Sequence, residues 1–305
     1  MPQRIVLTTM LLWATSTLWL LEGKSHPHDA EPATAGAEAI ESIVQQPIAT
    51  LVGEFPDLEG LEPAASQEEL PFMLVKLGEN VAMMYQNFSN TASRERVRQE
   101  LLKKNGEAGL WQEKEFQYLY LHLERPEALG VEEHRDHPRL IRSDLQEDPD
   151  RFMLTSGFVY APFPFHPRFQ PGSSFRYLGR QHMDGREFLV IAFAQRPDAK
   201  GLTCKFKTQE GSVQARIQGL AWVDPDNYQI LRMRTDLLRP APKIRLARVT
   251  TDIRFSEVRF NQLGAGEWLP HSVVVNVEWA GKSYRNLHEY SDFQLFTVET
   301  KDSRK

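Results

Sequence analysis

From Arg94 to Phe296 the chain alternates between apolar and polar residues in short runs, each ended by turn-forming residues. Val249, Thr251, Ile253 and Phe255 share one side of a run that ends near Phe260. Val273, Val275, Val277 and Trp279 share one side of the next. A period of two sends alternate side chains to opposite faces of a β-strand. No helix gathers such a set on one face, so this pattern excludes an all-helical chain. It also disfavours βαβ repeats, whose crossovers need a helix between strands.

The other runs fit the same pattern. Strands are expected at Arg94–Leu101, Glu115–Glu124, Phe175–Arg180, Phe188–Ala194, Val213–Val223, Tyr228–Thr235 and Ser283–Phe296. Asp184-Gly185 and Ala280-Gly281 are turn pairs, and Asp224-Pro225-Asp226-Asn227 is a turn by composition. Asn105-Gly106 has too many flanking residues for a minimal hairpin. The sum is about nine to eleven antiparallel strands, enough to curl by strand twist. Each strand has one apolar and one polar side, which predicts one buried and one solvated face.

One segment reads as a helix that covers the buried face. From Gln67 to Phe88, Leu70, Leu74, Leu77, Val81, Met84 and Phe88 recur at helical spacing. Ser66 and Glu69 form a capping box, and Pro71 falls where its missing N–H costs least. The fold class is therefore mostly β (α+β): a strongly curved antiparallel sheet, or unclosed barrel, with an amphipathic helix across its concave side.

The N-terminal part differs. Arg4, the apolar run Ile5–Leu21 and the small residues Gly23 and Ser25 read as a secretory signal over 1–25. This places the mature chain in the periplasm or the medium. A single Cys204 forms no internal disulfide and leaves no site for lipid attachment after cleavage. Residues 26–66 read as a loosely ordered Ala/Pro-rich arm, 67–298 as one β domain and 299–305 as a charged tail. With 36 basic and 41 acidic side chains the net charge is −5, which argues against nucleic acid as a partner.

Three stretches carry a family resemblance. They are Gly219-Leu220-Ala221-Trp222-Val223-Asp224 leading to Ile230-Leu231-Arg232-Met233, then Trp268-Leu269-Pro270 before a valine-rich strand, then Tyr284-Arg285-Asn286 with Tyr290-Ser291-Asp292-Phe293. Together they resemble the lipoprotein-localisation (LolA/LolB-like) superfamily over about residues 67–298, in particular its uncharacterised exported bacterial members. The resemblance implies an unclosed β-barrel that holds a lipid or the acyl chain of a protein on its concave surface, or that senses envelope stress.

On that picture the wall of the hollow is Leu77, Val81 and Met84 from the helix with Ile253, Phe255, Val273, Val275, Val277 and Trp279 from the sheet. Phe152–Phe169, with six aromatics and three prolines, is either a plug or a cavity wall. Arg239, Lys243, Arg245 and Arg248 belong to a basic run that either meets an acidic partner or membrane surface, or is simply a solvated face. His134-x-x-His137 beside Glu132, Glu133 and Asp136 reads as a charged turn, because its spacing lacks the helical metal pattern. No nucleophile elbow, phosphate loop or cofactor motif is legible. The expectation is a non-catalytic envelope protein without cofactor or metal that binds a lipid or acylated chain. The alternative is an interaction or stress-sensing module with a filled core and other envelope proteins as partners.

Overall fold

The computed structural model describes residues 42–86, 90–122, 131–144, 152–199, 204–208, 211–261, 263 and 266–296. The proposed signal, residues 26–41 and the tail lie outside them. Among the described residues the strands are β1 (Leu61–Pro63), β2 (Thr91–Leu102), β3 (Ala108–His122), β4 (Val131–Ser143), β5 (Ser173–Met183), β6 (Arg186–Gln195), β7 (Cys204–Thr208), β8 (Gly211–Ala215), β9 (Ile217–Val223), β10 (Ile230–Leu237), β11 (Leu246–Val258), β12 (Glu267–Trp279) and β13 (Lys282–Leu295). Eleven form one sheet in the order β1-β5-β6-β9-β10-β11-β12-β13-β2-β3-β4, antiparallel throughout and not closed into a barrel. β7 and β8 pair separately. One edge is the three-residue β1, which ends at Pro63; the other is β4, interrupted by Pro138 and by a positive φ at His137.

The turns follow from backbone chemistry. β5 and β6 meet at Asp184-Gly185, with φ of 51° and 76°; β12 and β13 meet at Ala280-Gly281, with φ of 52° and 74°. Two positive φ values are what a two-residue hairpin needs to match strand twist. β3 starts at Ala108, earlier than the expected Glu115, so Asn105-Gly106 does close a hairpin, with Lys103 N–H donating to the Glu107 carbonyl at 2.8 Å. The expected single strand Val213–Val223 is broken at Arg216 into β8 and β9.

Helix α2 (Leu70–Gln86) covers one face of the sheet. Its buried residues Leu70, Met73, Leu77, Val81 and Tyr85 lie against Ile191, Phe193, Ala221, Met233, Ile253 and Val275. Gln67, just before it, is bonded to the main chain of Tyr177 in both directions, at 2.8 Å each.

The opposite face is covered too, which corrects two expectations. Residues 42–63, most of the described portion of the supposed arm (42–66), are packed. Ile43, Leu51 of helix α1 (Ile48–Glu54), Phe55 and Leu58 form a second core with Leu178, Val190, Ala192, Leu220 and Trp222. β6 and β9 are therefore buried almost throughout rather than on one side. The continuous run Phe188-Leu189-Val190-Ile191-Ala192-Phe193-Ala194 is the sequence signature of a strand enclosed on both faces.

Polar groups fasten this second cover. Trp222 Nε1 donates to Gln181 Oε1 at 2.7 Å, and Gln181 Nε2 donates to the carbonyls of Asp57 and Glu59 at 2.9 and 2.7 Å. Arg232 and Arg234 both bind the Asp57 carboxylate. Their guanidinium groups also lie over Trp222 at 4.4 Å and Phe55 at 4.9 Å. Burial pushes the Asp57 carboxyl up, but the two arginines outweigh it and hold it below its ordinary range. At β5, Gly179 has φ 139°, and a Cβ there would stand 1.9 Å from the Glu62 carbonyl; only glycine lets β1 approach.

If residues 42–63 are integral, truncating Leu51 must cost as much as a core truncation does. Leu51→Ala is expected to destabilise the protein by about 2–5 kcal/mol, whereas Val52→Ala on the exposed side of α1 stays within about 0.5 kcal/mol. Urea unfolding of the two variants checks this; equal small shifts would mean that the segment is only an appendage.

Candidate functional site

The nine residues expected to line the hollow are brought together by the fold. Leu77, Val81, Ile253, Phe255, Val273, Val275 and Val277 are buried members of one apolar cluster, and Met84 and Trp279 pack on it half-buried. Trp279 closes the rim, donating through Nε1 to the Ile244 carbonyl at 2.7 Å. These walls lie in contact. The space at Val81, Met84 and Phe255, bounded also by Pro162, Tyr228 and Trp268, amounts to about 10 Å³. That is about the least space that one water needs and far below the volume of an acyl chain.

The filling comes from the aromatic segment. It forms three short 3-10 turns, Phe158–Tyr160, Phe163–Phe165 and Gln170–Gly172, none paired into the sheet. Phe158, Val159 and Phe165 are buried in the hollow; Phe165 meets Phe193 at 5.4 Å and Phe163 meets Tyr85 edge-on at 4.7 Å. Its attachment to α2 is polar and local. Tyr85 donates its hydroxyl proton to the Val159 carbonyl, and Gln170 Nε2 donates to the carbonyls of Leu74 and Phe165, 2.7 Å each. Gly78 permits the contact, since a Cβ there would be 2.8 Å from Gln170 Nε2 and 3.1 Å from Pro167 Cγ.

Beyond β12 the same face becomes polar while staying buried, a feature that sequence reasoning missed. Glu95 of β2, with no exposure, binds Arg135 of β4 through both oxygens. It also accepts the Tyr290 hydroxyl proton at 2.9 Å and lies 2.9 Å from His288 Nδ1. His288 Nε2 is 3.0 Å from Thr155 Oγ1, and Arg135 donates to the Thr155 carbonyl at 2.8 Å. Glu133 accepts the N–H groups of Gly157 and Val159 at 2.6 and 2.8 Å. The charged stretch expected as a turn at Glu132–His137 is thus strand β4, and two of its charges anchor residues 155–159 to the sheet.

Hydroxyl, imidazole and carboxylate stand in line at Thr155, His288 and Glu95, the order that polarises a nucleophile. Two features make this a latch. The Asn286 amide donates into Thr155 Oγ1 at 3.1 Å, and His288 is 1% exposed under the edge of Phe158. Burial and the neighbouring Arg135 lower the His288 pKa, only partly opposed by Glu95. Burial raises Glu95, but hydrogen bonds from Arg135 and His288 and their charges bring it below its ordinary value. Burial raises Glu133 despite its two backbone hydrogen bonds. The signal was present in period-two form: Tyr284, Asn286, His288 and Tyr290 occupy the inward positions of β13.

The basic run is divided by the fold. Arg232 and Arg234 are bound to carboxylates, Arg239, Lys243 and Arg245 are exposed around the β10–β11 connection, and Arg248 lies further along on β11. Among the described residues no helix is long and apolar enough to cross a membrane.

No protein-family model and no curated protein matches this chain. Several solved structures are similar to it, two of which follow. A DUF1329 family protein from Desulfovibrio piger is 13% identical, covering 75% of this chain and 95% of its own, with a TM-score of 0.34. A domain assigned provisionally to outer membrane lipoprotein sorting, from Vibrio parahaemolyticus, is 11% identical, covering 74% and 94%, with a TM-score of 0.32.

The latch has a pH dependence of definite sign. His288 titrates below its ordinary value of 6.5 in the folded protein, so on acidification the unfolded chain takes up this proton first. Stability from this group is complete above 6.5 and is lost as pH falls toward the folded value, with a limiting slope of about 1.4 kcal/mol per pH unit. Glu95 adds loss of the same sign at lower pH, and Glu133 opposes it. The melting temperature is expected to fall between about pH 7 and pH 5, and His288→Gln should flatten that fall. His166 shares the direction of shift, so the variant makes the assignment; an unchanged slope in His288→Gln would remove the imidazole from the account.

Proposed function

We propose that this is an exported protein that binds a hydrophobic ligand, a lipid or an acylated chain, in the hollow between α2 and the sheet, with the aromatic turns standing where the ligand goes. The supporting observation is that the hollow is filled by a segment outside the sheet ladder. Phe158, Val159 and Phe165 enter it from short turns held to α2 by the Tyr85 and Gln170 bonds. Their displacement costs apolar burial, and an acyl chain restores it at about 0.8 kcal/mol per CH₂. The roof supports the same reading. Phe72, Val75 and Met83 lie on the side of α2 opposite the buried residues and are 56%, 56% and 49% exposed. A helix apolar on two sides suits contact with a lipid surface. Arg239, Lys243 and Arg245 offer charge for such a surface or for an acidic envelope partner.

A second reading is favoured by the filled interior. With about 10 Å³ left beside Val81 and Phe255, the hollow is closely filled there by the chain itself, as an interaction or sensing module requires. Native mass spectrometry of the purified protein separates the two. Carriage predicts adducts of lipid mass that are lost on denaturation. It also predicts uptake of a dansylated fatty acid that rises several-fold in Gln170→Ala, where the clamp is cut, and falls in Val275→Trp, where the hollow is blocked. Absence of adducts, together with no uptake by wild type or Gln170→Ala, would establish the filled-core module instead.

A further inference from the structure

A row of buried amides starts directly beside the wall of the hollow. Val275 stands opposite Asn286 of β13, Asn286 opposite Gln99 of β2, and Gln99 opposite Gln112 of β3. At about 4.8 Å per strand, the first amide is one strand away from the apolar wall. Gln112 Nε2 donates to Gln99 Oε1 at 2.9 Å, which leaves Gln99 Nε2 to donate elsewhere.

The partners of this row belong to the segment that leads into the aromatic turns. The Met153 carbonyl accepts from Gln99 Nε2 at 2.7 Å and from Asn286 Nδ2 at 2.9 Å. The Thr155 carbonyl accepts from Arg135, and Thr155 Oγ1 accepts from Asn286 and touches His288. If the turns leave the hollow and take this segment with them, the amides and Arg135 keep buried donors without acceptors, a cost that only a ligand bearing acceptors removes. One group is already unmatched: among the described residues, nothing donates to Asn286 Oδ1, on a residue only 2% exposed.

The charges here are already spent. Arg135 is bound to both oxygens of Glu95. Burial and Arg135 hold the His288 pKa below its ordinary value, so the imidazole is neutral at pH 7. Glu133, which binds the N–H groups of Gly157 and Val159, puts a further carboxyl beside an incoming anion. The surroundings favour an uncharged group that both accepts and donates.

We infer that Met153–Thr155 occupies the place of a ligand's head group, and that this head group is an uncharged acyl ester or acyl amide. The inference rests on the carriage reading above and gives the chemistry of what is carried. The ligand carbonyl takes the Gln99 and Asn286 donors in place of the Met153 carbonyl. A hydroxyl or amide N–H beyond it donates to Asn286 Oδ1, and the acyl chain runs past Val275 into the hollow. A buried site made for a hydrogen-bonding group rejects an analogue that lacks it.

This chemistry has two sources, a neutral glyceride and an N-acylated protein. Titration calorimetry of the full chain and of Gln170→Ala, with 1-dodecanoylglycerol for the first source and N-dodecanoylglycinamide for the second, distinguishes them. The carbonyl-free control is 1-O-dodecylglycerol, and dodecanoate is the anionic one. At least one acyl compound is expected to bind about tenfold or more tighter than both controls. In Gln99→Met/Asn286→Leu the ester-over-ether ratio falls toward one. Both compounds must displace the same segment, so a looser hold on the turns does not move that ratio. The ratio in the unaltered chain decides even if the double variant does not fold. Ether binding as tightly as ester and amide, dodecanoate binding tighter than both, or a preference that survives the double variant overturns the head-group inference and leaves carriage standing. Failure of all four compounds to bind either protein overturns both.

Discussion

An open sheet of eleven strands presents an apolar surface that it cannot bury against itself. Everything described on the inner side answers that constraint. α2 covers part of the surface with Leu77 and Val81, and the aromatic turns fill what a single helix leaves empty. The two fillers touch at Gly78, where the helix has no side chain and Pro167 and Gln170 come close. A helix pays for an interior glycine with about 1 kcal/mol of propensity. At this position the loss lets the turns pack against the backbone of α2, held there by Gln170.

The inner face is not uniform. From β5 to β12 it is apolar and is met by hydrophobic side chains; from β13 to β4 it carries Glu95, His288, Tyr118, Tyr290 and Arg135. A buried carboxylate is tolerable only when its charge and lone pairs are satisfied. Arg135, His288 and Tyr290 do this for Glu95, and two of them, Arg135 and His288, also grip Thr155. The segment that ends in the apolar half is thus tethered through the polar half. Its start is fixed by charge and directional bonds, and its tip by nondirectional packing.

Much of this was legible from period alone. The alternation of β11 and β12 placed Ile253, Val273 and Val275 on the inner face, and helical spacing placed Leu77 and Val81 opposite them. Three things were not. The cover at 42–63 is short, broken by Pro47, Pro56 and Pro63, and has too few apolar residues to signal by periodicity; its need could be read only from the unbroken apolar run in β6. Glu95, Glu133 and Arg135 look like surface residues in isolation, because the partners that allow their burial are remote in the chain; Glu95 and His288 are 193 residues apart. A groove of about 540 Å³ on the outer face of β11 and β12 is a product of register. Arg248, Arg254 and Lys104 come to border one groove only once β2 has added to β13, and no local spacing encodes that.

The two ends of the sheet bear on whether it can add further strands. A sheet that stays open has main-chain donors and acceptors at each rim, which can recruit further strands without limit. Here one rim is three residues long and stops at a proline, and the other is bent by Pro138 and the left-handed His137. Neither offers a straight, continuous template, so the molecule can keep an unclosed architecture without seeding fibres of itself.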